Sequence, residues 1–151
     1  MKSTAFAFLF LGTSLVACDN DKDNDVKPDD VPAAVKEALI STFPNAQHVE
    51  WEKKGEDFEA DFSQETVEYD ALLNASGSLL KHKYDLPEAE LPEEVKAGIN
   101  QNYAGFRIDD ADVLVQEDNT LYQVELEKDK QEHKLVFSAD GQEQTTTPYW
   151  D

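Results

Sequence analysis

Six carboxylates stand at alternate positions in three short stretches: Glu50 and Glu52, Glu59 and Asp61, Glu68 and Asp70. An i, i+2 spacing puts both members of a pair on the same face of a β-strand. Three such strands side by side would build an acidic platform. Its chemistry would be capture of a cation or of a basic protein or peptide. Like charges facing each other across a sheet are unfavourable, so such a face needs a reason. The bland reason is solubility, because the helices and the N-terminal stretch are acid-rich as well. The matching positions further along are mixed: Leu114, Gln116, Gln123, Glu125, Glu127, Glu132, Lys134 and Val136. Signals for an enzyme are weak. His48, His82 and His133 lie far apart, and none forms an i, i+4 metal-ligand pair. His133 falls on an apolar face and reads as a packed side chain. There is no Gly-x-Ser-x-Gly elbow and no glycine-rich phosphate loop. Asp19, Asp21 and Asp23 have the odd-position spacing of a calcium loop, but Asn24 stands where Gly is wanted and Asp30 where Glu is wanted. No cofactor or resident metal is implied, and a non-enzymatic protein is expected. Trp51 alternates with Glu50 and Glu52 and reads as core. Tyr84, Tyr149 and Trp150 are candidate contact aromatics, with Tyr149-Trp150 able to fold back as a plug.

The whole chain shares this acidity. It has 33 acidic and 13 basic residues among 151, a net charge of −20. Nucleic-acid binding by phosphate neutralisation requires a basic face and is excluded. At the N-terminus Lys2 precedes an apolar run, Ala5–Val16, that falls short of the roughly 20 residues a spanning helix needs. It fits a secretory signal. The run closes on Leu15-Val16-Ala17-Cys18, which resembles the bacterial lipobox, in which the cysteine is freed, acylated and made the first mature residue. Cys18 is the single cysteine, so no disulfide is available. Loss of residues 1–17 removes Lys2 and no acid, leaving −21. Asp19–Asp30 reads as a solvated acidic tether. An acidic run directly after the cysteine also resembles the surface-export signal of Bacteroidetes lipoproteins.

The elements that must position the carboxylates come next, and the sequence states them twice. Val31-Pro32-Ala33-Ala34-Val35-Lys36 returns as Leu91-Pro92-Glu93-Glu94-Val95-Lys96, and Phe43 as Tyr103. Phe58-Glu59-Ala60-Asp61-Phe62 returns as Tyr122-Gln123-Val124-Glu125-Leu126, and Leu73–Gly77 as Phe137–Gly141. One small insertion near Phe106–Asp110 reconciles the offsets. Agreement in apolar type and turn residues is the mark of a duplicated structural unit. Val31, Val35, Leu39 and Phe43 give a helical stripe, with Asp30 as its cap and Pro44 as its stop. Leu91, Val95, Ile99 and Tyr103 repeat the stripe, ended by Gly105. After each helix the period changes to two. Strands are expected around Val49–Trp51, Phe58–Phe62, Val67–Leu73 and Ser78–Tyr84, then at Ala111–Glu117, Thr120–Glu127, Gln131–Ser138 and Gln142–Thr147. The fold class is α+β: a helix followed by a four-stranded antiparallel meander, twice, with both helices on one face of a shared sheet. The expected organisation is 1–17 signal peptide, 18–30 tether, 31–86 first unit and 87–151 second unit.

The duplicated helix-plus-meander, the Pro-x-x-Val-Lys helix openings, the Phe43-Pro44 and Tyr103-Ala104 helix ends, the Phe58–Phe62 strand and the Gly77 and Gly141 turns resemble the PepSY-like proteins. The resemblance spans nearly all of 31–147. It implies a small exported bacterial protein, and a family named in part for its similarity to the β-lactamase inhibitor protein. Inhibition of a β-lactamase or peptidase is what that name suggests, and no inhibitory residue set carries over to matched positions. The expected function is a lipid-anchored envelope binding module that takes a protein or peptide on the exposed sheet face. Hydrolase inhibition is a special case of it. Calcium or other cation binding on the acidic face is the alternative. An outer-membrane lipoprotein facing the periplasm or the cell surface is the expected location.

Overall fold

The computed structural model describes residues 24–151. Cys18, the signal sequence and the Asp19–Asp23 part of the tether lie outside the described residues. No described helix is long and apolar enough to cross a membrane.

Two ten-residue helices, α1 (Ala33–Thr42) and α2 (Glu93–Asn102), occupy the positions the apolar stripes predict. Each follows a single 3-10 turn, Pro28–Asp30 or Glu88–Glu90. Asp30 lies within the first turn and caps nothing. Pro32 is the residue before α1, with no side-chain cap. The repeated Pro-x-x-Val-Lys motif has a visible role in both copies. Val35 and Val95 are fully buried. Lys36 and Lys96 reach back to carbonyls of the preceding turn, Lys36 to Pro28 (2.8 Å) and Lys96 to Ala89 (3.2 Å). The turn that follows the third strand of each unit ends on a glycine for a steric reason. A Cβ on Gly77 would lie 2.5 Å from the Ala34 carbonyl oxygen, and one on Gly141 would lie 2.1 Å from that of Glu94. Each helix therefore rests its first turn against the backbone of its own meander's turn.

Among the described residues the strands are β1 (Gln47–Lys54), β2 (Asp57–Gln64), β3 (Val67–Leu73), β4 (Leu79–Asp85), β5 (Arg107–Gln116), β6 (Asn119–Lys128) and β7 (Gln131–Ser138). They form one antiparallel sheet in sequence order. β4 pairs with β5, so the two units share the sheet. The expected eighth strand does not form. Glu143 makes an isolated bridge to Phe137 and Gln144 N–H donates to the Val136 carbonyl (2.7 Å). Thr147 N–H then turns back to the Gln144 carbonyl, and the chain leaves the sheet edge. An edge strand there would have hydrogen bonds on one side only, whereas its counterpart β4 has a neighbour on each side.

Register assigns the faces. Trp51–Ala60–Ala71–His82–Val115 and Phe62–Tyr69–Tyr84–Val113–Tyr122 are cross-strand rows on one face. Both helices pack there, over two clusters. One joins Val35, Leu39 and Phe43 to Trp51, Phe58, Phe62 and Leu73. The other joins Val95 and Ile99 to Ala111, Val124, Leu126 and Phe137. Tyr84 lies on this helix face, stacked on Tyr69 (5.2 Å between centroids). His82 packs edge-on against Phe43 (5.3 Å), and burial lowers its pKa. His133 lies against Tyr103 (5.3 Å) and Phe106 (5.0 Å). His48, the second residue of β1, has a positive φ of 57°.

Candidate functional site: the open face of the sheet

Alternation within each strand sends every second side chain away from the helices. The six candidate carboxylates all lie on that open face. Glu50 is opposite Asp61, and Asp61 is opposite Asp70. Glu52 is opposite Glu59, and Ser63 is opposite Glu68. Their environments differ sharply. Glu50 and Glu68 are exposed. Glu52 binds Lys54 (2.7 Å). Glu59 is 5 % exposed and has both oxygens engaged, one with Lys54 (3.0 Å) and one with the Trp150 indole N–H (2.9 Å). Asp70 binds Lys83 (3.3 Å). Asp61 pairs with no cation among the described residues. Partial burial, a hydrogen bond with Asp70 and the charges of Asp70, Glu59 and Glu52 push its pKa up to about 8. At neutral pH this carboxyl keeps its proton, and the face carries less charge than its formula.

The sequence pattern did not bring out the cations of this face. β4 carries Lys81 and Lys83, which alternate with His82 and Tyr84; the run Lys81-His82-Lys83 was the available signal. Lys83 faces Asp70 on one side and Leu114 on the other. Its ammonium also lies 3.9 Å from Asp112 on β5. Asp112 is 3 % exposed, and its burial raises its pKa to about 6 against the pull of Lys83. Burial lowers the Lys81 pKa. Asp85, beside Asp112, is raised by partial burial and by Asp110, Glu68 and Asp70.

The C-terminal tail crosses this face. Trp150 is 8 % exposed. Its backbone N–H donates to Gln123 Oε1 (3.0 Å), and Gln123 Nε2 donates back to the Trp150 carbonyl (3.0 Å). Lys83 Nζ donates to the same carbonyl (3.2 Å). The Lys81 ammonium lies 3.9 Å from the indole centroid, a cation–π contact. Lys134 pairs with Asp151 and lies 5.3 Å from the Tyr149 ring. Burial, together with the charges of Asp112, Asp110, Glu125 and Asp151, holds the Tyr149 hydroxyl well above its usual pKa. Leu114 and Val136 point to this face by register and are buried, at 1 % and 3 % exposure. Glu59 and Gln123 are equivalent positions of the two repeats, on β2 and β6. Each repeat thus supplies one buried polar side chain to the same tryptophan. Trp51, in contrast, is core, at 6 % exposure against α1.

No group of three or more metal-ligating side chains occurs among the described residues. The site consists of hydrogen-bonding groups, paired charges and an aromatic seat on an antiparallel surface. That arrangement is suited to holding polypeptide.

No curated protein matches the chain. Several solved structures do. A BLIP-like protein from Bacteroides fragilis NCTC 9343 is 27 % identical, with a TM-score of 0.68, and the match covers 83 % of this chain and 89 % of that one. A DUF2874 family protein from Bacteroides uniformis ATCC 8492 shares the fold at 19 % identity and a TM-score of 0.69, covering 74 % and 85 %. A third, from Bacteroides eggerthii DSM 20697 and described as "putative periplasmic", shares it at 14 % identity and a TM-score of 0.70, covering 75 % and 85 %. The family described as "Putative beta-lactamase-inhibitor-like, PepSY-like" matches twice, over residues 18–81 and 66–144, in keeping with the duplicated helix-plus-strands unit. The chain therefore belongs to this PepSY-like family.

Proposed function

We propose that the chain is a non-enzymatic binding module of the cell envelope that docks a protein or peptide on the open face of its sheet, with the two helices as structural backing. The observation that carries this reading is the face itself. It is a broad antiparallel surface opposite both helices, rimmed by the exposed carboxylates Glu50 and Glu68 and built around the Trp150 seat. Glu50, Glu52, Glu59, Asp61, Glu68 and Asp70 are its first-unit contact set. Glu50 and Glu68 meet the partner directly, and Glu59, Asp61 and Asp70 set the field behind them. The inhibitor form of the reading is supported by the family description and by the BLIP-like relative. The partner would then be a hydrolase whose activity falls on binding. The lipobox-like Leu15–Cys18 supports an anchor on Cys18, in an outer-membrane lipoprotein facing the periplasm or the cell surface.

Glu50→Lys with Glu68→Lys tests the reading without touching a buried group. Capture of a partner from envelope extract by the parent chain, released by salt and lost in the double variant, is the expected result. Equal capture by both proteins overturns it. An empty eluate beside a calcium-dependent rise in melting temperature moves the function to cation binding, since a ligand of the folded form must raise the midpoint.

A further inference from the structure

Trp150 is bound the way a ligand residue is bound. Its backbone donor and backbone acceptor both go to the side-chain amide of Gln123, which is fully buried. Its indole N–H goes to Glu59, 5 % exposed, and its π face to Lys81. The indole N–H, the ring face and the backbone donor and acceptor of this tryptophan are all engaged. The residue lies beyond β7, the last strand, so it can leave without unravelling one. No buried side-chain polar atom among the described residues lacks a partner. Departure of the tail would open the Gln123 amide and one Glu59 oxygen to water, and a partner that covers them again must replace both bonds or leave them unsatisfied. An apolar patch could not do so; an indole on extended polypeptide could.

We propose that the Trp150 seat is the residue-reading site of the sheet face: the chain's own tail is a place-holder, and the partner delivers a tryptophan on an extended segment that exchanges with Trp150. This rests on the reading that the face takes a protein, and it names the feature of that protein that is recognised. Lys81 and Lys83 from β4, Glu59 from β2 and Gln123 from β6 are the recognising groups.

The probe is a capped pentapeptide with the sequence of residues 147–151, Thr-Pro-Tyr-Trp-Asp. The full chain carrying Trp150→Ala should bind it saturably at one to one. A peptide with Ala in place of Trp should bind at least about tenfold more weakly. The parent chain should also bind the peptide at least about tenfold more weakly, because its own tail competes at an effective concentration in the millimolar range. A folded Trp150→Ala chain that ignores the peptide, or that binds both peptides equally, overturns the proposal. If that variant fails to fold, the parent chain labelled with 5-fluorotryptophan serves. Its two tryptophans, Trp51 and Trp150, give two fluorine signals, and excess unlabelled peptide should shift one of them to the exposed position. Two unmoved signals at saturating peptide overturn it as well. Light scattering of the parent chain closes the remaining route: a dimer that dissociates on loss of the tail means exchange between copies, and overturns a foreign partner. Envelope capture that depends on Glu50 and Glu68 but is unchanged by Trp150→Ala would sink this proposal and leave the docking face standing.

Discussion

Asp61→Asn should make the protein less sensitive to alkali. Asp61 sits on β2 between Glu50 on β1 and Asp70 on β3, with Glu59 two residues away on its own strand. Its folded-state pKa, about 8, lies above the ordinary value of 3.8 that describes the unfolded chain. The folded state therefore holds a proton that the unfolded state releases. The stability this contributes is fully present below pH 3.8 and is lost as pH rises through about 8. In a dry site the shift would be worth several kcal/mol. Asp61 is half open to solvent, which screens the repulsion, so about 1–2 kcal/mol is expected. Urea denaturation of the parent and Asp61→Asn at pH 5, 6, 7 and 8.5 measures it. The parent should lose about 1–2 kcal/mol more than the variant between the ends of the series. The comparison cancels the general repulsion of a chain at −20, which both proteins share. Parallel curves would show that Asp61 ionises normally, and that the charge on this face is the full formal count.

Lys83→Met removes the cation between Asp70 and Asp112 and the donor to the Trp150 carbonyl. Asp112, already raised to about 6 by burial, should rise further, so the variant should be destabilised by about 1–3 kcal/mol at pH 8 and by less at pH 5, read by the same urea series. Gly141→Ala combines a positive φ of 79° with a Cβ placed 2.1 Å from the Glu94 carbonyl oxygen, and should cost about 2–4 kcal/mol by thermal or urea unfolding. Near-neutral unfolding of that variant would mean that the helix and turn can separate freely.

Most of the fold follows from local pattern. Val35, Leu39, Val95 and Ile99 mark the buried helix face, and period-two stretches mark seven strands, because burial on one side of a regular element leaves its period in the sequence. Gln142–Thr147 misleads for the same reason. Three threonines and the alignment with β4 both favour extended chain, but pairing needs a neighbour, and β4 has β5 where this segment has none. The Asp30 cap fails because Pro28-Asp29-Asp30 closes its own 3-10 turn, which displaces the start of the helix to Pro32.

The candidate site was legible in its carboxylates and illegible in what neutralises them. Alternation fixes the face of Glu50, Glu59 or Asp70 from one strand alone. It says nothing about which side chains meet across strands, so the position of Lys83 between Asp70 of one repeat and Asp112 of the other could not be read off. The pairing of Glu59 with Trp150 spans 91 residues and belongs to no local rule. The duplication nevertheless explains why such a seat exists. Two copies of one unit placed edge to edge present the same position twice on the open face, as Glu59 and Gln123. Glu59 has Lys54 of its own repeat for one oxygen, and its other oxygen and the Gln123 amide are left for a partner from outside the strands. One tail crossing the sheet satisfies both, with its indole on the first copy and its backbone on the second. Divergence of that single position to an acid in one repeat and an amide in the other gives the seat its direction: the acid can only accept from the indole, while the amide can both accept and donate to a backbone.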